Sequence, residues 1–163
     1  MVGRWISGMT VTDKHELVVV DLRSAYIVDS VSGRLIRVVG GSGSRGVGRL
    51  AEPIGAATAA DGRLVFSDRA DQTAKVYSSR GHHVRTVAGL GLSNVGGVAV
   101  SRSTGDVYLA GSDRHGVALV RGAAVSGAVA NVEHLSDFHH PYSVAVNSST
   151  GNVIVGDDHA QTV

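Results

Sequence analysis

The feature that most constrains this chain is a segment that occurs nearly twice. GVAVSRSTGDVYLAGSD begins at Gly97 and SVAVNSSTGNVIVGDD at Ser143, and two weaker copies lie upstream, GMTVTDKHELVVVD from Gly8 and GAATAADGRLVFSD from Gly55. With Gly8, Gly55, Gly97 and Ser143 as markers, the intervals are 47, 42 and 46 residues. A unit recurring at this length signals a repeat architecture, in which each copy buries its apolar surface only against its neighbours.

The content of the unit selects the architecture. Valine-rich runs bounded by Gly, Ser, Asp and Asn favour short strands, and no window carries a helical apolar period. The spacing predicts strands near Gly8–Val11, Leu17–Val20, Ala25–Val28 and Leu35–Val39 in the first unit. The second gives Gly55–Ala59, Leu64–Phe66, Ala74–Tyr77 and Val84–Val87, and the third Val98–Val100, Val107–Ala110, Val117–Val120 and Ala128–Val132. The fourth supplies Ser143–Val146, Val153–Gly156 and only the start of a third strand at Gln161–Val163. Asp61-Gly62, Thr104-Gly105 and Thr150-Gly151 mark the matching hairpin turns. Four short antiparallel strands per unit describe a β-propeller blade. The expected fold is therefore all-β, an incomplete propeller spanning residues 1–163 in about three and a half blades, short of the roughly four to eight of a closed ring. Blades fall at 5–50, 51–94, 95–140 and a truncated 141–163. An open last blade would expose an apolar face and a strand edge, which favours self-association.

Composition narrows the function classes. Hydrophobic residues make up 43% and charged residues 18%, the balance of a globular protein rather than a disordered one. With no cysteine, disulfides and thiolate metal sites are excluded. A formal net charge of +1 is low for a dedicated nucleic-acid binder. The N-terminal segment lacks the apolar core of a signal peptide and no stretch approaches membrane-spanning length, so a cytoplasmic chain without a membrane partner is expected.

The unit pattern resembles the NHL repeat: Pro or Gly ahead of a VAV-like strand, then G-x-[LVI]-x-[LVI]-x-D and a third strand such as AKVYS. Pro53, Gly55, Gly62, Asp68 and Val76-Tyr77 carry it in the second unit, Gly8, Asp21 and Val28-Asp29 in the first, and Pro141, Gly151 and Asp157 in the fourth. The third departs, with Gly111 where the others place Asp. NHL repeats build the six-bladed propellers of TRIM-type E3 ubiquitin ligases. The resemblance implies a recruiting module that binds protein or RNA, with ligase chemistry in a cysteine-bearing RING domain this chain does not contain.

Candidate sites follow from the loops. Asp21, Asp68 and Asp157 recur once per blade, the mark of carboxylates that accept backbone hydrogen bonds in turns rather than of a catalytic ring. Arg23, Arg69, Arg114 and His159 follow these positions, and Arg45 and Arg49 lie in the inter-blade connection GGSGSRGVGRLAEP on the same face. Thirteen of the fifteen basic residues are arginine, which suits bidentate recognition of carboxylate or phosphate. Asp71, Asp113, Asp137 and Asp158 share these loops and offset much of their field. The segment GGSGSRGVG lacks the GxxxxGK[ST] order of a phosphate loop and no helix follows it. His134, Asp137, His139 and His140 are weak metal candidates, since their spacing matches no standard site. No catalytic residue, metal or cofactor is assigned. The expected function is a non-enzymatic scaffold for a protein partner. RNA binding through the arginines and a metal-dependent propeller lactonase or lyase are the alternatives.

Overall fold

The computed structural model describes residues 5–41, 48–112, 116–122 and 132–158. Fourteen strands form three four-stranded sheets and one two-stranded sheet among these residues. The first sheet holds β1 (Ile6–Val11), β2 (Glu16–Asp21), β3 (Ala25–Asp29) and β4 (Leu35–Val39). The second holds β5 (Pro53–Thr58), β6 (Leu64–Asp68), β7 (Thr73–Tyr77) and β8 (His83–Val87). The third holds β9 (Val95–Val100), β10 (Val107–Gly111), β11 (Val117–Val120) and β12 (Val132–Leu135), and β13 (Pro141–Val146) pairs with β14 (Val153–Asp157). Every pairing is antiparallel between consecutive strands, the order of a blade that runs outward from its first strand. No helix among the described residues is long and apolar enough to cross a membrane.

The first strands β1, β5, β9 and β13 lie side by side, and there the repeat markers acquire a cause. A Cβ on Gly8 would sit 2.6 Å from the Ile54 carbonyl oxygen, and one on Gly97 would sit 3.0 Å from the Ser143 Cα. Innermost strands converge so closely that backbone meets backbone, which is a position only a minimal side chain fills. Each first strand also carries one extra residue beside the marker, a β-bulge between Ile6 and Gly8, Pro53 and Gly55, and Pro141 and Ser143, with the same shift opposite Gly111. Bulges bend a strand and increase its twist, as a narrow inner edge requires. In the hairpins that follow, Gly62, Gly105 and Gly151 take φ of +80°, +73° and +76°, as the Asp-Gly and Thr-Gly dipeptides predict.

Packing between blades supplies the core. Val18, Val20, Ile27 and Val39 of the first sheet meet Leu64, Phe66 and Tyr77 of the second. Val65, Val76 and Val87 on its other face meet Val98, Val107, Leu109 and Val120 of the third, and Tyr108, Val117 and Leu119 then meet Val144, Val146, Val153 and Val155. Both faces of the two middle sheets are buried, so their central strands read as continuous apolar runs rather than as alternating ones.

Two expectations fall partly or wholly outside the described residues. The outer strand of the third sheet is described over Val132–Leu135, and of the expected Ala128–Val132 only Val132 is described. β12 pairs Glu133 with Leu119 and His134 with Ala118, so a half-exposed outer strand accepts charged residues that hydrophobicity alone would reject. The residues expected to begin a third strand in the last sheet, Gln161–Val163, lie outside the described residues.

Candidate functional site

The loop face is built on the recurring aspartates. Asp68, at the end of β6, accepts hydrogen bonds from the backbone amides of Ala51 (2.7 Å) and Glu52 (3.0 Å). Asp157, at the end of β14, accepts from His139 (2.7 Å) and His140 (3.0 Å) in the same geometry. Both pairs of amides immediately precede a proline, Pro53 or Pro141, that opens the first strand. Each carboxylate therefore ties the loop entering a blade to the second strand of that blade. Asp21 accepts from Arg23 and Ser24 in its own turn (2.9 and 2.8 Å). These are structural acceptors, as their periodicity implies, although the donors of Asp68 and Asp157 come from the entry loop rather than from the turn.

A buried lysine completes the second blade. Lys75 on β7 is 2% exposed, and its ammonium donates to the Arg49 carbonyl (2.6 Å), to Asp68 Oδ2 (2.8 Å) and to Asp71. All three protons are used. Burial raises the pKa of the Asp68 carboxyl, but the Lys75 ammonium and the Ala51 and Glu52 amides outweigh it and hold the group below the usual carboxylate range. Tyr26 occupies the same register position in the first blade and donates its hydroxyl to Asp21 Oδ2 at 3.1 Å. In the third blade both partners are missing together: Gly111 stands in the aspartate position and Ala118 in the lysine position. A Cβ on Gly111 would lie 3.0 Å from the Leu92 Cβ and 3.1 Å from the Ser93 carbonyl oxygen, so the entry loop fills the carboxylate's place. There the Asn94 side chain bonds Ser112 instead.

The arginines divide. Arg69 is paired with Glu52, which lowers the glutamate's pKa and raises its own. Arg23 and Arg49 have no ion-pair or side-chain hydrogen-bond partner among the described residues. They share an open cleft of ≈ 500 Å³ between the first two blades, lined also by Leu22, Leu50, Glu52 and Ala70. Arg45, Arg114 and His159 lie outside the described residues. Of the arginines expected on the loop face, Arg23 and Arg49 line this cleft, and Arg69 is held by Glu52.

The histidine segment does not converge. The Nε2 atom of His134 lies 2.8 Å from the Leu90 carbonyl, which can only accept, so Nε2 carries the hydrogen. His139 and His140 direct their amides to Asp157, His140 Nδ1 lies 2.7 Å from Asp158, and Asp137 takes a left-handed φ of +80°. Among the described residues no three His, Asp or Glu side chains gather around one point. The four first strands line a second cavity of ≈ 290 Å³ with Thr10, Ala57, Val98 and Val144, and Arg102 at its rim pairs with Asp13 at 2.7 Å. A third cavity, of ≈ 240 Å³, opens between Thr12, Asp61 and Ser79 on the opposite face.

No known family's sequence profile matches the chain, and no curated protein matches it in sequence. Solved structures do match its shape. The structure of U3-55K superposes with a TM-score of 0.71 at 23% identity, covering 86% of this chain and 42% of that one. The RRP9 WD40 repeats give 0.73 at 19%, covering 94% and 51%, and a gluconolactonase from Xanthomonas campestris gives 0.71 at 18%, covering 91% and 55%. The chain is an incomplete β-propeller. It spans about half the length of the structures it matches, and at these identities the likeness carries the fold alone. It does not single out NHL blades from WD40 blades.

Proposed function

We propose that this propeller segment is a recognition module rather than an enzyme, and that its loop face takes a protein partner through acidic side chains received by Arg23 and Arg49. The observation that carries the reading is the cleft between the first two blades, where two guanidinium groups stand without partners beside apolar Leu22 and Leu50. Guanidinium groups seat carboxylates in bidentate geometry, and the exposed Leu22 gives the partner's stem something to pack against. Among the described residues, the strands Ile6–Val11, Pro53–Thr58, Val95–Val100 and Pro141–Val146 contain no Asp, Glu, His, Lys or Arg, and Arg102 at the rim of the cavity they line is paired with Asp13. Asp68 and Asp157 are committed to backbone amides. In a TRIM-like ligase such a module would recruit the target, with the RING chemistry supplied elsewhere.

The test is fluorescence polarisation with short labelled peptides, glutamate-rich against neutral and lysine-rich. Glutamate-rich peptides are expected to bind, and R23E/R49E to weaken them by at least about tenfold. Binding of single-stranded RNA with an affinity that falls steeply with salt, and of no peptide, would assign the arginines to RNA. Turnover of a lactone panel by the metal-supplemented chain would overturn the recognition reading altogether.

A further inference from the structure

Arg49 is exposed, yet the backbone on which it stands is held at every residue from Gly48 to Glu52. The Gly48 carbonyl accepts the Tyr77 hydroxyl (2.6 Å), and the Arg49 carbonyl accepts the Lys75 ammonium (2.6 Å). The Leu50 amide donates to the Gly40 carbonyl at 3.0 Å, and the Leu50 side chain is buried. The Ala51 and Glu52 amides donate to Asp68, and the Glu52 carbonyl accepts the Arg69 amide at 2.9 Å. Apart from Gly40, all of these partners belong to the second blade, and Asp68, Lys75 and Tyr77 are buried in it.

A blade folds without this arrangement. In the third sheet Gly111 and Ala118 stand where the second has Asp68 and Lys75, and its four strands pair all the same. A carbonyl near the surface can be met by water, whereas burying an ammonium to reach one carries a desolvation penalty. What the second blade has in exchange is an arginine on an immobile stem. The opposite wall of the cleft repeats the device. The Arg23 amide donates to Asp21 Oδ1 at 2.9 Å, and Tyr26, at the register position of Lys75, donates its hydroxyl to Asp21 Oδ2 at 3.1 Å. Both cleft arginines therefore stand on turns held by a buried carboxylate.

We infer that Lys75, together with Asp68 and Tyr77, positions Arg49, fixing the loop so that the guanidinium is presented to the cleft from one place before any partner arrives. A charged side chain on a rigid stem loses less freedom on binding than one on a mobile loop. Lys75 is a positioning residue: it touches the Arg49 backbone and reaches the partner only through that arginine. In its bearing on affinity the inference rests on the reading of the cleft as a carboxylate site.

The experiment joins fluorescence polarisation with a labelled glutamate-rich peptide to NMR-detected hydrogen exchange of single amides in the full chain. Lys75→Met/Asp68→Asn removes the pair without changing net charge, and Tyr77→Phe removes one hydroxyl while keeping the ring. Far-UV circular dichroism checks that both fold. The double variant is expected to weaken the peptide by about tenfold and Tyr77→Phe by about threefold, each with the salt dependence of the wild type. In an Arg49→Gln background neither change is expected to have a further effect, a result that a general loss of stability would not produce. Exchange reads the positioning without any peptide. The Leu50 amide, whose own acceptor Gly40 is untouched, is expected to exchange at least about tenfold faster in the double variant, relative to the Val65 amide of β6. Undiminished affinity in a chain whose wild type binds, an equal loss with and without Arg49, or wild-type protection of Leu50 would overturn the inference. A wild type that binds no peptide, with Leu50 protection lost in the variant, would refute the carboxylate reading and uphold the positioning.

Discussion

Replacing Lys75 by Met removes the one cation that the second blade buries. The side chain is 2% exposed and its partner Asp68 is fully buried, so methionine fills most of the volume while leaving a carboxylate held by two amides alone. The Arg49 carbonyl loses its 2.6 Å donor in the same step. Removing one member of a buried ion pair costs about 3–5 kcal/mol, because the remaining charge keeps its desolvation penalty. Against a total of roughly 5–15 kcal/mol for a domain, that is a large fraction. Adding Asp68→Asn removes the stranded charge and keeps one acceptor for the Ala51 or Glu52 amide. The double variant should therefore be less damaged than the two singles added together, with a coupling of about 2–3 kcal/mol. The third blade indicates that such relief is available, since Gly111 and Ala118 dispense with both partners at once. Urea unfolding followed by far-UV circular dichroism measures all four corners of this cycle. A Lys75→Met variant within about 1 kcal/mol of the wild type, or strictly additive singles, would refute the assignment of this pair as a coupled structural staple.

Two further outcomes follow from the same geometry. The Asp68 carboxyl has a lower pKa folded than unfolded, so its stabilisation is present above the unfolded value of about 3.9 and is lost as pH falls through the folded one. Acid titration of stability should show a drop below about pH 4 that Asp68→Asn flattens, and equal slopes would contradict it. Gly8→Ala forces a Cβ to within 2.6 Å of the Ile54 carbonyl oxygen, and a cost of about 1–3 kcal/mol is expected in thermal unfolding, whereas a neutral effect would mean the inner strands are looser than described.

Lys75 also shows where reading the residues stops. In AKVYS it looks like an ordinary strand lysine with its head in solvent. Its burial depends on Arg49, 26 residues upstream, and on Asp68, seven residues upstream. The one signal available was comparative: the aspartate is present where the third strand offers Lys75 or Tyr26, and absent where it offers Ala118. A similar exchange escaped notice at the inner edge. Ser67 opposite Gly55 accepts the Gly55 amide at 2.9 Å and donates to the Gly96 carbonyl at 2.6 Å. In the fourth blade the two residue types trade strands, with Ser143 opposite Gly156, because a Cβ on Gly156 would lie 2.2 Å from the Ser143 Oγ. The outer strand Val132–Leu135 of the third blade belongs to the same class, since Glu133 and His134 meet solvent and carry no apolar signal.

Local chemistry by itself determined the blade. Spacing of β-branched runs, the Asp-Gly and Thr-Gly turns and the recurring small residue at Gly8, Gly55, Gly97 and Ser143 depend on a few neighbouring positions, and these are written in order along the chain. Which polar groups remain available for binding was decided only by tertiary structure. Arg69 and Arg23 both follow a second-strand aspartate, one directly and one after a single residue. Yet Glu52 meets Arg69 across the blade entry, while Arg23 and Arg49 line an open cleft. Charges are satisfied by whatever the fold brings within a few ångströms, and that distance is not a function of separation along the chain.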